Sequence, residues 1–166
     1  MKKDLVLGLY VDEIIVTGEF DVVEEFIKNF RDRFKSRYYE EVKDFIGCEL
    51  MWDMNTNSVL LHQMTMIEKI ELKMKPYLEK YEIKTNKVPM IKGTGIRQLT
   101  DDDIELSGEM QSLYRSCVGS LLYIKKHSRP DLCNSVRELS KVNKKACHDH
   151  FIVLLTVCNF CLRIKI

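Results

Sequence analysis

Two acids stand side by side inside an apolar stretch. Leu5 to Val11 is an apolar run, Asp12 and Glu13 interrupt it, and Ile14-Ile15-Val16-Thr17-Gly18 resumes it. Strand-forming residues on both sides of so short a break read as a β-hairpin with carboxylates at its tip. A two-residue hairpin loop needs φ > 0, which Asn-Gly, Asp-Gly or Gly-X supply and a pair of acids does not. A turn that breaks its local rule marks a candidate functional site. Adjacent carboxylates at the end of a sheet make a hard, negative, oxygen-rich point suited to Mg²⁺ or Mn²⁺, so Asp12 and Glu13 are the candidate catalytic and metal-binding residues. The plain alternative is a solvated acidic turn.

Two further sets of residues carry possible chemistry. Residues 125 to 145 hold seven basic side chains against two acids, while 101 to 109 hold five acids and no base. Lys125, Lys126, Arg129, Lys141, Lys144 and Lys145 are therefore candidates for sequence-independent contacts to a nucleic-acid backbone, with a solvated helix face as the alternative. The acids Asp101 to Asp103 read as a solvated charge run. His148, His150, Cys158 and Cys161 formally offer His-x-His and Cys-x-x-Cys ligands for zinc. The cysteines sit in an apolar segment with no glycine or polar knuckle to turn sulfurs toward a metal, so buried thiols are the expectation and no zinc is expected. Gly93-Thr94-Gly95 is too short to argue for a phosphate loop.

Three blocks resemble, in order, the reverse transcriptases of copia-type retrotransposons. Tyr10-Val11-Asp12-Glu13 with its apolar tail is similar to the Tyr-Val-Asp-Asp motif. Phe45-Ile46-Gly47-Cys48-Glu49-Leu50, preceded by Lys43-Asp44, resembles the primer-grip hairpin. Tyr114-Arg115-Ser116-Cys117-Val118-Gly119-Ser120-Leu121-Leu122-Tyr123 with Arg129-Pro130-Asp131 resembles the thumb region and is the most specific of the three. The resemblance runs from residue 5 to about 160. It implies RNA-directed DNA polymerase activity, a nucleotidyl transfer assisted by two Mg²⁺ or Mn²⁺ ions, with an RNA or DNA template–primer as partner. Asp12 matches the first acid of the family hairpin. Glu13 stands where the family has Asp, and its extra methylene shifts the carboxylate by a bond length, enough to disturb a geometry-limited site. His150-Phe151 falls where the family carries His-Trp, a packing position.

In the family a carboxylate from an earlier palm strand completes the metal site, and that strand and the fingers lie upstream of the region matched here. The expectation is a fragment of a reverse transcriptase, the C-terminal part of the palm followed by the thumb, with catalysis absent from these residues alone. The alternative is a non-catalytic nucleic-acid-binding remnant whose basic face is all that acts.

The elements that must position these groups follow from periodicity. With 166 residues the chain suffices for one domain or two small ones. Lys plus Arg is 26 and Asp plus Glu 25, so charge alone implies no partner. The start lacks a cleavage-site pattern, so the expectation is a reducing compartment, cytoplasm or nucleus, with six free thiols. The longest uncharged apolar stretch, 151 to 162, is too short to span a bilayer, which takes about 20 residues. Asp21 and Glu24 have capping-box spacing at the start of an amphipathic helix over 21–35. Residues 38 to 50 return to strand character and turn at Asp53 to Ser58 into a second hairpin. Thr65 and Glu68 again have capping-box spacing, and Pro76 is expected to kink or end that helix. Residues 84 to 108 read as a long connection. Leu113, Cys117, Leu121 and Ile124 stripe a further helix, Pro130 opens another, and 151 to 162, apolar on every face, is expected to lie exposed and drive self-association. The expected class is α+β, with a partial palm over 1–63 and a helical thumb-like region over 64–166.

Overall fold

The structure, a computed structural model, describes residues 4–53, 55–56, 58–90 and 96–163. It is a mixed α+β chain in which, among the described residues, two small antiparallel sheets lie in the N-terminal part and four of five α-helices in the C-terminal part. The Gly93-Thr94-Gly95 run lies outside the described residues. The chain divides into two compact units, one ending at Leu61 and the other beginning at His62.

In the first unit β1 (Leu5–Tyr10) and β2 (Glu13–Gly18) pair antiparallel, from Leu5 opposite Gly18 to Tyr10 opposite Glu13. This register corrects the expected loop: the two loop residues are Val11 and Asp12, and Glu13 opens β2. Gly18 is required where it stands, because a Cβ there would lie 2.5 Å from the carbonyl oxygen of Asp4. Helix α1 (Phe20–Arg33) packs on β2. Its stripe Val23, Phe26, Ile27 and Phe30 is half-buried, and Phe30 stacks between Phe26 and Phe34 at 5.8 and 4.8 Å. The N-cap is Glu19, so Asp21 falls inside the first turn instead of heading a capping box; a carboxylate there still complements the helix dipole.

The strand expected over 38–50 is interrupted. Residues 35–43 have no regular structure, since Lys35, Arg37, Glu40 and Glu41 break the alternation a half-buried strand needs. What remains is β3 (Asp44–Phe45), which turns through Ile46 and Gly47 into β4 (Cys48–Asp53), with β5 (Ser58–His62) on the far side of β4. The Asp53 carboxylate accepts from the Thr56 hydroxyl at 2.7 Å and the Asn55 N–H at 2.9 Å, which hold it below the usual carboxylate range. Cys48 is the one buried residue among those described in this unit.

The second unit is helical: α2 (Met64–Lys80), α3 (Gly108–His127), a 3₁₀ turn (Pro130–Leu132), α4 (Cys133–Lys141) and α5 (His148–Arg163). Ile67, Ile70 and Met74 of α2 meet Tyr114, Val118, Leu121 and Ile124 of α3, Val136 and Leu139 of α4, and the length of α5 in one core. The segment expected to be exposed is enclosed. Phe151, Leu154, Leu155, Val157, Cys158, Phe160, Cys161 and Leu162 are all buried, with α2, α3 and α4 as neighbours. A helix apolar on every face needs cover on every face, and three neighbours supply it, so the expected exposed apolar patch is not found at 151–162.

Pro76 neither ends nor bounds α2, which continues to Lys80. Proline removes the bond to the carbonyl four residues back, and Leu72 there is 80% exposed, so water can serve that carbonyl. Beyond Pro76, Tyr77 and Tyr81 pack edge-on to Phe151 at 5.3 and 6.4 Å and hold the last turn. The N-cap of α2 is Gln63, not Thr65. In the connection to α3, Asp103 is folded in where a solvated acid was expected. Arg97 and the Thr100 N–H and hydroxyl converge on its carboxylate and hold it well below the usual range. No helix among the described residues is long and apolar enough to cross a membrane.

Candidate functional site

The two hairpins of the first unit meet at their tips. Asp12 is exposed in the β1–β2 loop, beside Val11 at φ 48°. A β-branched residue in the left-handed region is an outlier, and such strain gathers at functional sites. Val11 is 85% exposed, so no burial of its side chain explains the conformation. In the second hairpin Phe45 pairs with Cys48, and the loop residues Ile46 and Gly47 both take left-handed φ, 55° and 64°. The Ile46 N–H donates to Oε2 of Glu13 at 2.7 Å. The Phe45 ring lies over the same strand: a Cβ on Gly8 of β1 would lie 3.8 Å from its Cζ. Asp12 and Glu13 stand at the rim of a cleft of about 1050 Å³ formed by β2, α1 and the 34–45 segment. Of the remaining grip-like residues, Cys48 is buried and Glu49 and Leu50 are half-buried.

By themselves these residues supply only part of the two-ion centre that the resemblance implies. Among the described residues no three His, Cys, Asp or Glu side chains gather to hold a metal, and Glu13 turns an oxygen to a backbone amide. Both acids are exposed at this tip; Glu13 has one oxygen on the Ile46 N–H, and Asp12 has no hydrogen bond or ion pair among the described residues. The chemistry available here is therefore attraction of a cation to two adjacent exposed acids, one of them shared with an amide, without the symmetric clamp that in-line displacement uses.

The basic set is dispersed by the fold. Arg129 departs from it: only 4% exposed, its guanidinium is bound by Asp131 through two bonds of 2.9 and 2.7 Å and donates to the Cys161 carbonyl at 3.3 Å. A planar fork that finds a carboxylate and a helix-end carbonyl inside the protein is a structural brace. Lys141 pairs with Glu138 at 2.6 Å, and Lys145 with Glu105 at 2.6 Å. Lys125 is half-buried, and Lys126 and Lys144 are exposed, with no ion pair among the described residues.

The third block is built into the core. Tyr114 is fully buried and its hydroxyl donates to the Leu139 carbonyl at 2.9 Å; Cys117, Val118 and Leu121 line the same core, and Arg129 and Asp131 form the brace. Of the zinc-like residues, His148 is exposed with its ring edge-on to Tyr81 at 5.3 Å, and the other three are committed to the interior. Cys158 lies 3.3 Å from Cys117 sulfur to sulfur, and burial pushes the Cys161 thiol up to about 11. The Nε2 of His150 bonds the Arg97 carbonyl at 3.0 Å, while Nδ1 accepts from the Cys147 N–H at 3.2 Å.

Sequence reasoning named Ile46 within the grip-like block but missed Val11 and missed that Ile46 acts through its amide, for which the signal was available in the Ile-Gly pair of a two-residue loop. Val11 had no signal, because nothing about valine suggests φ > 0. Compared with known proteins, the chain matches no family model, and no solved structure matches it significantly.

Proposed function

We propose that this chain is the palm-end and thumb portion of a copia-type retrotransposon reverse transcriptase, an RNA-directed DNA polymerase. Within these 166 residues it supplies shape and grip for a template–primer, and the nucleotidyl transfer needs carboxylates they do not provide. The observation that carries the reading is the meeting of two motif-like hairpins. The acidic tip and the grip-like turn lie 33 residues apart in sequence, yet one bond of 2.7 Å joins them. A grip beside the acids is what a polymerase needs to hold a primer end near the reacting phosphate.

Primer extension on a homopolymer RNA template with Mg²⁺ or Mn²⁺ tests the proposal. The chain alone should extend nothing. Fused behind the fingers and first palm strand of a copia-type polymerase that lacks its own acidic hairpin, it should restore extension, and Asp12→Ala should abolish it. A folded fusion that stays inactive, or one indifferent to Asp12→Ala, refutes the reading. A second reading, nucleic-acid binding without chemistry, is favoured by the exposed ammonium groups of Lys126 and Lys144, and template–primer binding by an inactive fusion would select it.

A further inference from the structure

Glu13 is the residue at which the structure and the family pattern part. The pattern puts Asp at this position and gives it a metal ion. Here the side chain is longer by one methylene, and its Oε2 accepts the Ile46 N–H at 2.7 Å. That amide sits on the first loop residue of the second hairpin, at φ 55°. Loop amides of a two-residue hairpin lie beyond the last paired residues, here Phe45 and Cys48, so an acceptor must come from outside the ladder. A carboxylate is the stronger kind of acceptor for a backbone N–H. The Phe45 ring also faces Gly8 of the first hairpin, where an added Cβ would lie 3.8 Å from Cζ.

We propose that Glu13 is a positioning residue, a latch whose side chain holds the tip of the second hairpin beside the tip of the first, leaving Asp12 as the acid of the pair that faces a cation. The latch stands on geometry alone. Only its purpose, keeping a primer-end grip beside the acidic tip, rests on the polymerase reading. Reach is the property that matters. Asp at position 13 falls one bond short of the Ile46 amide, whereas Gln keeps an oxygen at the same distance. A latch and a metal ligand therefore predict opposite rescue patterns for the two conservative substitutions.

The test uses the full chain, with the Ile46 amide followed by ¹H–¹⁵N NMR and Mn²⁺ as the metal probe. Trp52 fluorescence verifies that the first unit stays folded. The expected result is an upfield move of the Ile46 amide proton in Glu13→Asp and Glu13→Ala, most of the wild-type position kept in Glu13→Gln, and no move in Asp12→Asn. Mn²⁺ broadening at residues 11–13 should survive Glu13→Gln and be lost in Asp12→Asn. Glu13→Asp that keeps the Ile46 position and binds Mn²⁺ at least as well as wild type, while Glu13→Gln loses both, makes Glu13 a ligand and overturns the proposal. An Ile46 amide indifferent to Glu13→Ala overturns it equally. If the wild-type chain takes up no Mn²⁺, the Ile46 amide alone decides. None of these readouts involves template–primer, so the latch and the polymerase reading fail separately.

Discussion

Replacing Tyr114 by Phe tests whether the most family-specific block is scaffold or site. The Tyr114 ring is fully buried, and its hydroxyl serves the Leu139 carbonyl at 2.9 Å. Leu139 lies in the last turn of α4, where carbonyls have no partner four residues on. The substitution keeps the ring and nearly all of its volume, so no cavity term enters. It strips the carbonyl of its donor in a place water does not reach, at a cost of about 1–3 kcal/mol. At roughly 4–8 °C per kcal/mol for a domain of around a hundred residues, the helical unit should melt on the order of 10 °C lower. Circular dichroism at the helical band is the assay. Tyr38→Phe, at an exposed position in the first unit, should leave the curve in place. A Tyr114→Phe shift below about 2 °C would mean that the hydroxyl is not a structural donor, and the scaffold argument would fall.

Further outcomes follow from the same geometry. Val11→Gly removes left-handed strain of about 1–2 kcal/mol, offset by roughly 0.5–1 kcal/mol of added unfolded-state freedom; a small gain in the urea midpoint read by Trp52, the single tryptophan, is expected, and a loss would refute the strain. His150 is held neutral by burial, its pKa lowered, and Nδ1 facing the Cys147 N–H has no room for a second proton. The unfolded chain then takes up a proton that the folded one refuses, so stability is full above about pH 6.5 and falls as pH drops below it. His150→Gln should flatten urea midpoints between about pH 7.5 and pH 5, a window above the range where Asp103, Asp131 and Glu138, all lowered, begin to protonate. For duplex DNA, Lys126→Gln with Lys144→Gln should reduce the log–log salt slope by roughly 1.8 if both touch phosphates. Arg129→Gln should lower stability and leave that slope unchanged.

Much of the fold was legible because its periods are strong. The Leu5–Gly18 hairpin, the stripe of α1 and the stripe of α3 could be read from spacing alone. What was not legible depended on partners distant in sequence. Nothing local to 151–162 says that three helices will surround it, and nothing local to Pro76 says that Phe151 will hold the turn beyond it. The basic cluster misled for the same reason: Arg129 reads as one more cation until Asp131 and the Cys161 carbonyl are brought to it. At the site, paired acids pointed to the right hairpin but to a tip one residue out of register. The deciding bond joins residue 13 to residue 46, a relation no local pattern encodes.

The uneven distribution of burial has a consequence for the protein's lifetime. From His62 onward the chain has an interior, and opening it exposes many apolar side chains at once. Before that point Cys48 is the one described residue out of solvent, so little holds the strands closed against fluctuation. Local opening free energies track such differences, and cleavage by proteases follows the population of open forms when reclosing is fast. Degradation would therefore begin among the hairpins and stall at α2. The half that carries the acidic tip would be the first lost, and the helical half, with its braced arginine, would be what persists.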